Sequence, residues 1–259
     1  MKDPPTIYRD NDSLFTHYQQ LKKGDIVCGR IRLRSGEEHV LTDLVERGIQ
    51  LLPSASSQLA SRSKVFQTKI FSNFMLPGTL AVYNTHDILK ASSLYNKLQL
   101  TRVILKCDRK NGGLGVHLFN NIEDLYNHAG GETFPFPFVV QPFQQENRDI
   151  RVIILQDYYE AYERENPFNF RSNLHCGGKS TEFTLSDQQI SFCHEVMQRG
   201  KFPYAHLDLM LLPDNSYRLT EINLRGGLRG AKISGKAYQK KIGLIHENLL
   251  SKLTPTTAA

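Results

Sequence analysis

Apolar residues recur along this chain in two rhythms, and the rhythm changes often. Residues 25–32 (DIVCGRIR) read as a strand. Residues 36–47 carry apolar positions at helical spacing and stop at Gly48, a residue suited to ending a helix. A second helical stretch covers 54–74 and is broken by Pro77 and Gly78. Residues 79–82 predict a short strand, 86–98 a helix, and 102–106 a strand. A glycine-rich turn at 111–115 leads to a strand at 116–119, a helix at 122–128 and a strand at 138–141. Residues 149–155 and 158–164 pair as a hairpin; 206–212 and 217–223 pair as another, turning at 213–216. A helix at 185–199 follows the N-cap candidate Ser186, and a last helix fills 234–253. Residues 1–24 read as a tail with a short amphipathic turn. Strands come in hairpins with helices between them, so the fold class is α+β rather than a regular β-α-β repeat.

Composition changes this picture little. The chain has 259 residues, 40% of them hydrophobic, enough for one large domain or two small ones. A net charge of +6 suits an anionic ligand such as a nucleotide. No aromatic and basic patch points to nucleic acid. No run approaches the roughly 18–20 apolar residues of a membrane span, and the first residues lack a secretory apolar core. Cys28, Cys107, Cys176 and Cys193 form no C-x-x-C pair, so reduced thiols and a cytoplasmic location are expected.

The Walker A loop, the G-x-S-x-G elbow and the H-E-x-x-H helix are all absent. His206-Leu-Asp208 resembles the start of a kinase catalytic loop, but Pro213 stands where that loop needs asparagine. Three pieces remain. Lys106 ends a strand before Gly112, Gly113 and Gly115; glycines admit backbone N–H groups to phosphate oxygens and lysine neutralises them. A plain hairpin turn with an exposed lysine fits the same residues. Glu221 and Asn223 share a strand face, and the hairpin puts Asp208 on the neighbouring strand. Three oxygen ligands there suit Mg²⁺, or else mark a solvated sheet face. Asn169 to Gly178 concentrates Arg171, Ser172, Asn173, His175 and two glycines, an anion-gripping loop or an ordinary surface loop.

Together these pieces resemble a known family. Phe170-Arg-Ser-Asn-Leu-His175 before Gly177-Gly178 is similar to the F-R-S-N-L-H-x-G-G signature of RimK-type ATP-grasp ligases. It stands in order with Asp149-Ile-Arg151, with Val140-Gln141, with Asp208, and with Glu221-Ile-Asn223. Ser61-Arg-Ser-Lys64 is similar to the segment preceding the family's lid. The resemblance runs from about residue 25 to 250 and implies an ATP-grasp fold of two α+β subdomains gripping ATP. It implies that Lys64, Lys106, Gly113, Gly115, Gln141, Pro142, Phe143, Asp149, Arg171, Ser172 and Asn173 bind ATP. It also implies that Asp208, Glu221 and Asn223 hold one or two Mg²⁺, with Mn²⁺ an alternative. Arg171 and Arg151 are the catalytic candidates. Arg164 is a candidate for holding the acyl substrate, and Arg225 and Arg229 for recognising an acidic one. The implied reaction joins a carboxylate to an amine through an acyl phosphate, releasing ADP and phosphate. A non-catalytic ATP-binding module and a small-molecule kinase are the alternatives.

The chain departs from the family in three places. Gln141-Pro-Phe143 replaces Gln-Glu-aromatic at the hinge, removing a backbone donor and an acid. Arg225-Gly-Gly-Leu228 replaces a serine-proline-glycine turn. The segment before the ATP-grasp core is short. The expected organisation is a tail (1–24), a shortened α/β segment with linker helix (25–76), and a lid subdomain (77–137). A large subdomain with the metal site (138–253) and a second tail (254–259) complete it. Expected partners are nucleotide and small-molecule or peptide substrates, without nucleic acid or membrane; a homo-oligomer is left open.

Overall fold

The computed structural model describes residues 4–253 apart from 111, 131–133, 173, 175 and 176. Asn111, Asn173, His175, Cys176 and the expected tail 254–259 lie outside the described residues. The first elements are β1 (Ile7–Tyr8), α1 (Asn11–Thr16), β2 (Ile26–Cys28), α2 (His39–Glu46) and β3 (Gln50–Leu52). The helices α3 (Ala55–Ala60) and α4 (Lys64–Ile70) follow. Next come β4 (Leu80–Val82), α5 (Thr85–Lys97), β5 (Val103–Cys107), β6 (Val116–Phe119), α6 (Ile122–Gly130) and β7 (Phe138–Pro142). The last group is β8 (Arg148–Leu155), β9 (Tyr158–Glu165), β10 (Lys179–Glu182), α7 (Asp187–Gly200), β11 (Ala205–Leu211), β12 (Tyr217–Asn223) and α8 (Gly235–Leu253).

The first 24 residues are not simply a tail. Ile7–Tyr8 pairs in parallel with Ile26–Val27, and the sheet order is β1-β2-β3. Leu14 and Leu21 are buried in one cluster with Leu41 and Leu44 of α2. A two-residue strand and a six-residue helix are too short for periodicity to reveal. The single helix expected over 54–74 is two. Ser54 and Ser63 each accept a backbone N–H three residues on, from Ser57 at 3.2 Å and Phe66 at 3.0 Å. Ser63 is extended, which ends the first helix and starts the second.

The second sheet has the order β4-β7-β5-β6 and is antiparallel. Its core joins Val103, Leu105 and Phe138 to Ile88 and Tyr95 of α5 and Leu125 of α6. The strand at 138 was expected to open the following unit. It lies instead between β4 and β5, because periodicity identifies a strand but not the sheet it joins.

The third sheet is β10-β9-β8-β11-β12, also antiparallel, and both expected hairpins are in it. Val152, Ile154, Leu207, Leu209 and Ile222 share a core with Val196 and Met197 of α7 and Ile245 of α8. α7 begins at a capping box, Ser186 with Gln189. The edge of β12 is closed by a buried side chain of α4. Gln67 accepts from the Ile222 N–H (3.0 Å) and donates to the carbonyls of Ile222 (2.9 Å) and Ala60 (2.7 Å). Ser61 Oγ accepts from the Leu224 N–H at 3.0 Å. These bonds fix α4 against the strand that carries Glu221 and Asn223. Among the described residues no helix is long and apolar enough to cross a membrane.

Candidate functional site

A cavity of about 660 Å³ is walled by the four-stranded and five-stranded sheets together. Strand register explains why its polar residues converge. Asp208 on β11 stands opposite Glu221 on β12 and opposite Arg151 on β8. Asp149 on β8 stands opposite Arg164 on β9. Glu221 and Asn223 alternate on β12, so all of these share one sheet face. A register shift follows Asp208, and Thr220 Oγ1 donates to the Asp208 carbonyl there (3.0 Å).

Asp208, Asp149, Arg151 and Arg164 form a charge-balanced cluster. Arg151 donates to both carboxylate oxygens of Asp208, from Nε and, at 3.1 Å, from Nη2. Arg164 Nη2 lies 2.5 Å from Asp149 Oδ1 and 3.1 Å from Asp208 Oδ2. Burial pushes the Asp208 carboxyl up, but the two guanidiniums outweigh it and hold the group below the usual carboxylate range. Burial pushes Asp149 up and prevails over Arg164. Beside this cluster, burial and Arg151 push the His206 imidazole down to about 3, so it is neutral. His206 Nε2 meets Tyr238 Oη at 3.0 Å, while its buried Nδ1 has no partner among the described residues.

The lysines stand differently. Lys106, on β5, lines the cavity, and its ammonium makes no hydrogen bond or ion pair among the described residues. Burial lowers its pKa, opposed by Glu221. Lys64, at the start of α4, donates to the Lys110 carbonyl (2.6 Å) and lies 3.5 Å from Glu221 Oε1. Asp108, one residue after β5, accepts from Ser63 Oγ (3.0 Å) and the Val65 N–H (3.1 Å). Arg109 reaches Ser35 (3.0 Å) and Glu38 (3.3 Å). The start of the glycine loop is thereby tied to the segment before α2 and to the start of α4.

Of the residues expected at a site, the cavity wall takes in Lys64, Lys106, Gly113, Gln141, Pro142, Phe143, Asp149, Arg151, Arg164, Arg171, Ser172, Asp208, Glu221, Asn223 and Arg225. Asn173 lies outside the described residues. Gly115 is off the wall. Its φ of +74°, and the 2.8 Å at which an added Cβ would meet Cys107, give it the task of closing the β5–β6 turn. Arg171 crosses to the other sheet, donating to the Val116 carbonyl and stacking on Phe170 at 4.2 Å. At the hinge Pro142 has no N–H, and the Phe143 N–H is spent on the Arg102 carbonyl (3.0 Å). The next residue, Gln144, also lines the cavity, and its N–H has no partner among the described residues. Sequence reasoning missed Gln144, Lys110 and Arg30. Only Lys110, beside the glycine run, carried a local signal.

The donor set suits a hard divalent cation: two carboxylates and an amide oxygen face one another across two strands. As placed, Asn223 Nδ2 donates to Glu221 Oε1 at 3.0 Å; turning the amide over presents its oxygen instead. Among the described residues Glu221 has one ion pair, with Lys64 at 3.5 Å, and its charge also acts on Lys106.

A probable alpha-L-glutamate ligase from Trichodesmium erythraeum (strain IMS101) is 28% identical over 179 residues, covering 63% of this chain and 57% of that protein. The chain therefore spans little more than half the length of that curated relative. Biotin carboxylase from Campylobacter jejuni superposes with a TM-score of 0.61 at 13% identity, over 92% of this chain and 57% of that one. D-alanyl-alanine synthetase A from Vibrio cholerae superposes at 0.57 and 17% identity, over 90% and 76%. N5-carboxyaminoimidazole synthetase from Staphylococcus aureus, complexed with ADP, superposes at 0.60 and 16%, over 86% and 59%. At such identities these likenesses speak for the fold, which is the α+β ATP-grasp fold. The RimK-like ATP-grasp domain description matches residues 74–244, from the turn before β4 into α8, and so takes in both larger sheets and the cavity between them; the chain belongs to the RimK-like ATP-grasp family.

Proposed function

We propose that this chain is an ATP-dependent ligase that joins a carboxylate to an amine through an acyl phosphate, releasing ADP and phosphate. One observation carries the reading: the ammonium of Lys106, without a hydrogen bond or ion pair among the described residues, shares a cavity with the oxygen donors Asp208, Glu221 and Asn223. A lone cation and a facing set of acids is what a metal-bound polyphosphate requires. The names of the relatives, a probable glutamate ligase and a D-alanyl-alanine synthetase, support C–N bond formation.

In this reading Lys106 and Lys64 neutralise phosphate oxygens, and the glycine loop at Gly113 covers them. Gln141, Pro142 and Phe143 bound the nucleobase end, with the Pro142 carbonyl and the Gln144 N–H as its hydrogen-bonding edge. Asp149 lies toward the ribose, and Arg171, Ser172 and Asn173 reach the phosphates. Asp208, Glu221 and Asn223 hold one or two Mg²⁺, whose charge, when bound, polarises the transferred phosphoryl group. The substrate carboxylate oxygen bonds to the γ-phosphorus as the bond to ADP breaks. The amine nitrogen then bonds to the acyl carbon, gives up a proton, and phosphate departs with the bonding electrons. Arg171 stabilises the oxyanion between those two events, while Arg151, donating through Nε and Nη2 to Asp208, orients that carboxylate. Arg164, held by two aspartates, positions Asp208 more than it binds substrate. The four-stranded unit acts as a lid that closes over nucleotide.

The test is to incubate the chain with MgATP and a panel of amino acids, dipeptides and acidic metabolites, measuring ADP and phosphate and identifying products by mass spectrometry. A new amide with equimolar ADP and phosphate is expected. ADP with a stable phosphorylated product would replace the reading with a kinase. Tight MgATP binding without turnover across the panel would favour a binding module.

A further inference from the structure

One part of the cavity wall carries positive charge that nothing among the described residues balances. Arg30 follows the carboxyl end of β2 in the parallel sheet, where α/β sheets present ligand-binding groups. Arg225 and Arg229 lie on the loop after β12, and all three line the cavity. None of their guanidiniums makes a hydrogen bond or ion pair among the described residues. Arg151 and Arg164, by contrast, are saturated by Asp208 and Asp149. Burial lowers the Arg30 pKa, and Arg225 and Arg62 lower it further, so these cations repel one another. Arginine cannot shed its proton to relieve that repulsion; an anion must.

The wall is held next to the chemistry. A Cβ added at Gly226 would lie 2.5 Å from His206 Nδ1 and 2.8 Å from Arg151 Nη1. The Arg225–Arg229 loop is therefore pressed onto the residues that flank Asp208. Arg62 donates to the carbonyls of Ile31 and Leu33, which fixes the segment carrying Arg30 from behind. Two parts of the chain far apart in sequence thus supply one cationic wall.

We propose that Arg30, Arg225 and Arg229 form a subsite for a doubly charged anionic group on the substrate, separate from the carboxylate that is activated. The proposal rests on the ligase reading, since the group belongs to the acid or to the amine being joined. A single carboxylate brings one charge and two oxygens, and three guanidinium forks exceed it. A phosphomonoester or a pair of carboxylates matches the wall in charge and in oxygen count.

The experiment measures anion binding by calorimetry on the full chain, with the nucleotide site first saturated by the β,γ-imido analogue of ATP and Mg²⁺. The probes are inorganic phosphate, glutarate and butyrate. Phosphate or glutarate should bind at least about tenfold more tightly than butyrate, and which of the two prevails names the group. Arg30→Gln, Arg225→Gln and Arg229→Gln should each weaken that anion by about fivefold or more while leaving affinity for the ATP analogue unchanged. Arg30→Lys, which keeps the charge and loses the fork, should fall between wild type and Arg30→Gln. Anion affinities within twofold of wild type in all three glutamine variants would overturn the subsite, as would binding of both phosphate and glutarate no tighter than that of butyrate. Failure of the ATP analogue to bind would instead strike the ligase reading. The anion comparison then proceeds on the nucleotide-free chain and decides the subsite by the same ratios.

Discussion

Gln67 holds the edge of β12, the strand that carries the proposed metal ligands Glu221 and Asn223. It makes three hydrogen bonds, two of them to the backbone of Ile222, the residue between Glu221 and Asn223. Gln67→Met keeps nearly the same volume and removes all three. Each is worth about 1 kcal/mol net, and a buried backbone group left unpaired costs about 1–3 kcal/mol. The expected loss is roughly 3 kcal/mol, a sizeable share of a total stability on the order of 5–15 kcal/mol. At about 2–4 °C per kcal/mol for a domain of this size, melting should fall by about 6–12 °C. Urea unfolding followed by circular dichroism measures the loss, and amide hydrogen exchange at Ile222 and Leu224 locates it. Because the freed strand carries Glu221 and Asn223, affinity for the MgATP analogue should weaken as well. A loss below about 1 kcal/mol with unchanged Ile222 exchange would refute the idea that this glutamine holds the strand edge.

Four further outcomes are expected. Glu221→Gln should lower turnover on the order of a hundredfold or more while melting stays at the wild-type temperature, since it deletes charge with little change of volume; full activity would remove Glu221 from the site. Tyr95 has a fully buried hydroxyl with no partner among the described residues, so Tyr95→Phe should raise stability by about 1 kcal/mol in urea titration. Burial lowers the His246 pKa below its unfolded value near 6.5. Its stabilisation is therefore complete above that pH and lost as pH falls toward the folded value, and His246→Gln should lose less stability than wild type between pH 7.5 and 5.5. Asp108→Ala removes the tie between the glycine loop and α4, so limited proteolysis within residues 78–137 should quicken without nucleotide and slow again with MgATP.

The two long hairpins and the helices α5, α7 and α8 were legible because each is long enough for its period to repeat. The convergence of Asp208, Glu221 and Asn223 was legible for a related reason: strand alternation and a short turn between strands fix which residues face each other. Short elements were hidden. β1 is two residues, and β10 reads Lys-Ser-Thr-Glu with every residue exposed, so neither shows an apolar signal. The break between α3 and α4 was hidden because Ser61 and Ser63 are tolerated within a helix and become caps only when the chain around them turns.

Contacts between distant parts of the chain were not legible at all, and they decide how the charges of the site are spent. Periodicity shows that Arg151 and Arg164 face the same way as Asp208, but not that the aspartates consume both guanidiniums. Nor does it show that Arg30, about 195 residues before Arg225, completes a wall with no counter-charge among the described residues. The family resemblance makes Arg164 a candidate for the acyl substrate and Arg225 and Arg229 candidates for an acidic one. The geometry separates these candidates, because an arginine already paired in a buried cluster has little left for a ligand. By this reasoning the residues free to choose a substrate are those outside the shared motifs: Arg30 after β2, and Arg225 and Arg229 in the turn after Asn223.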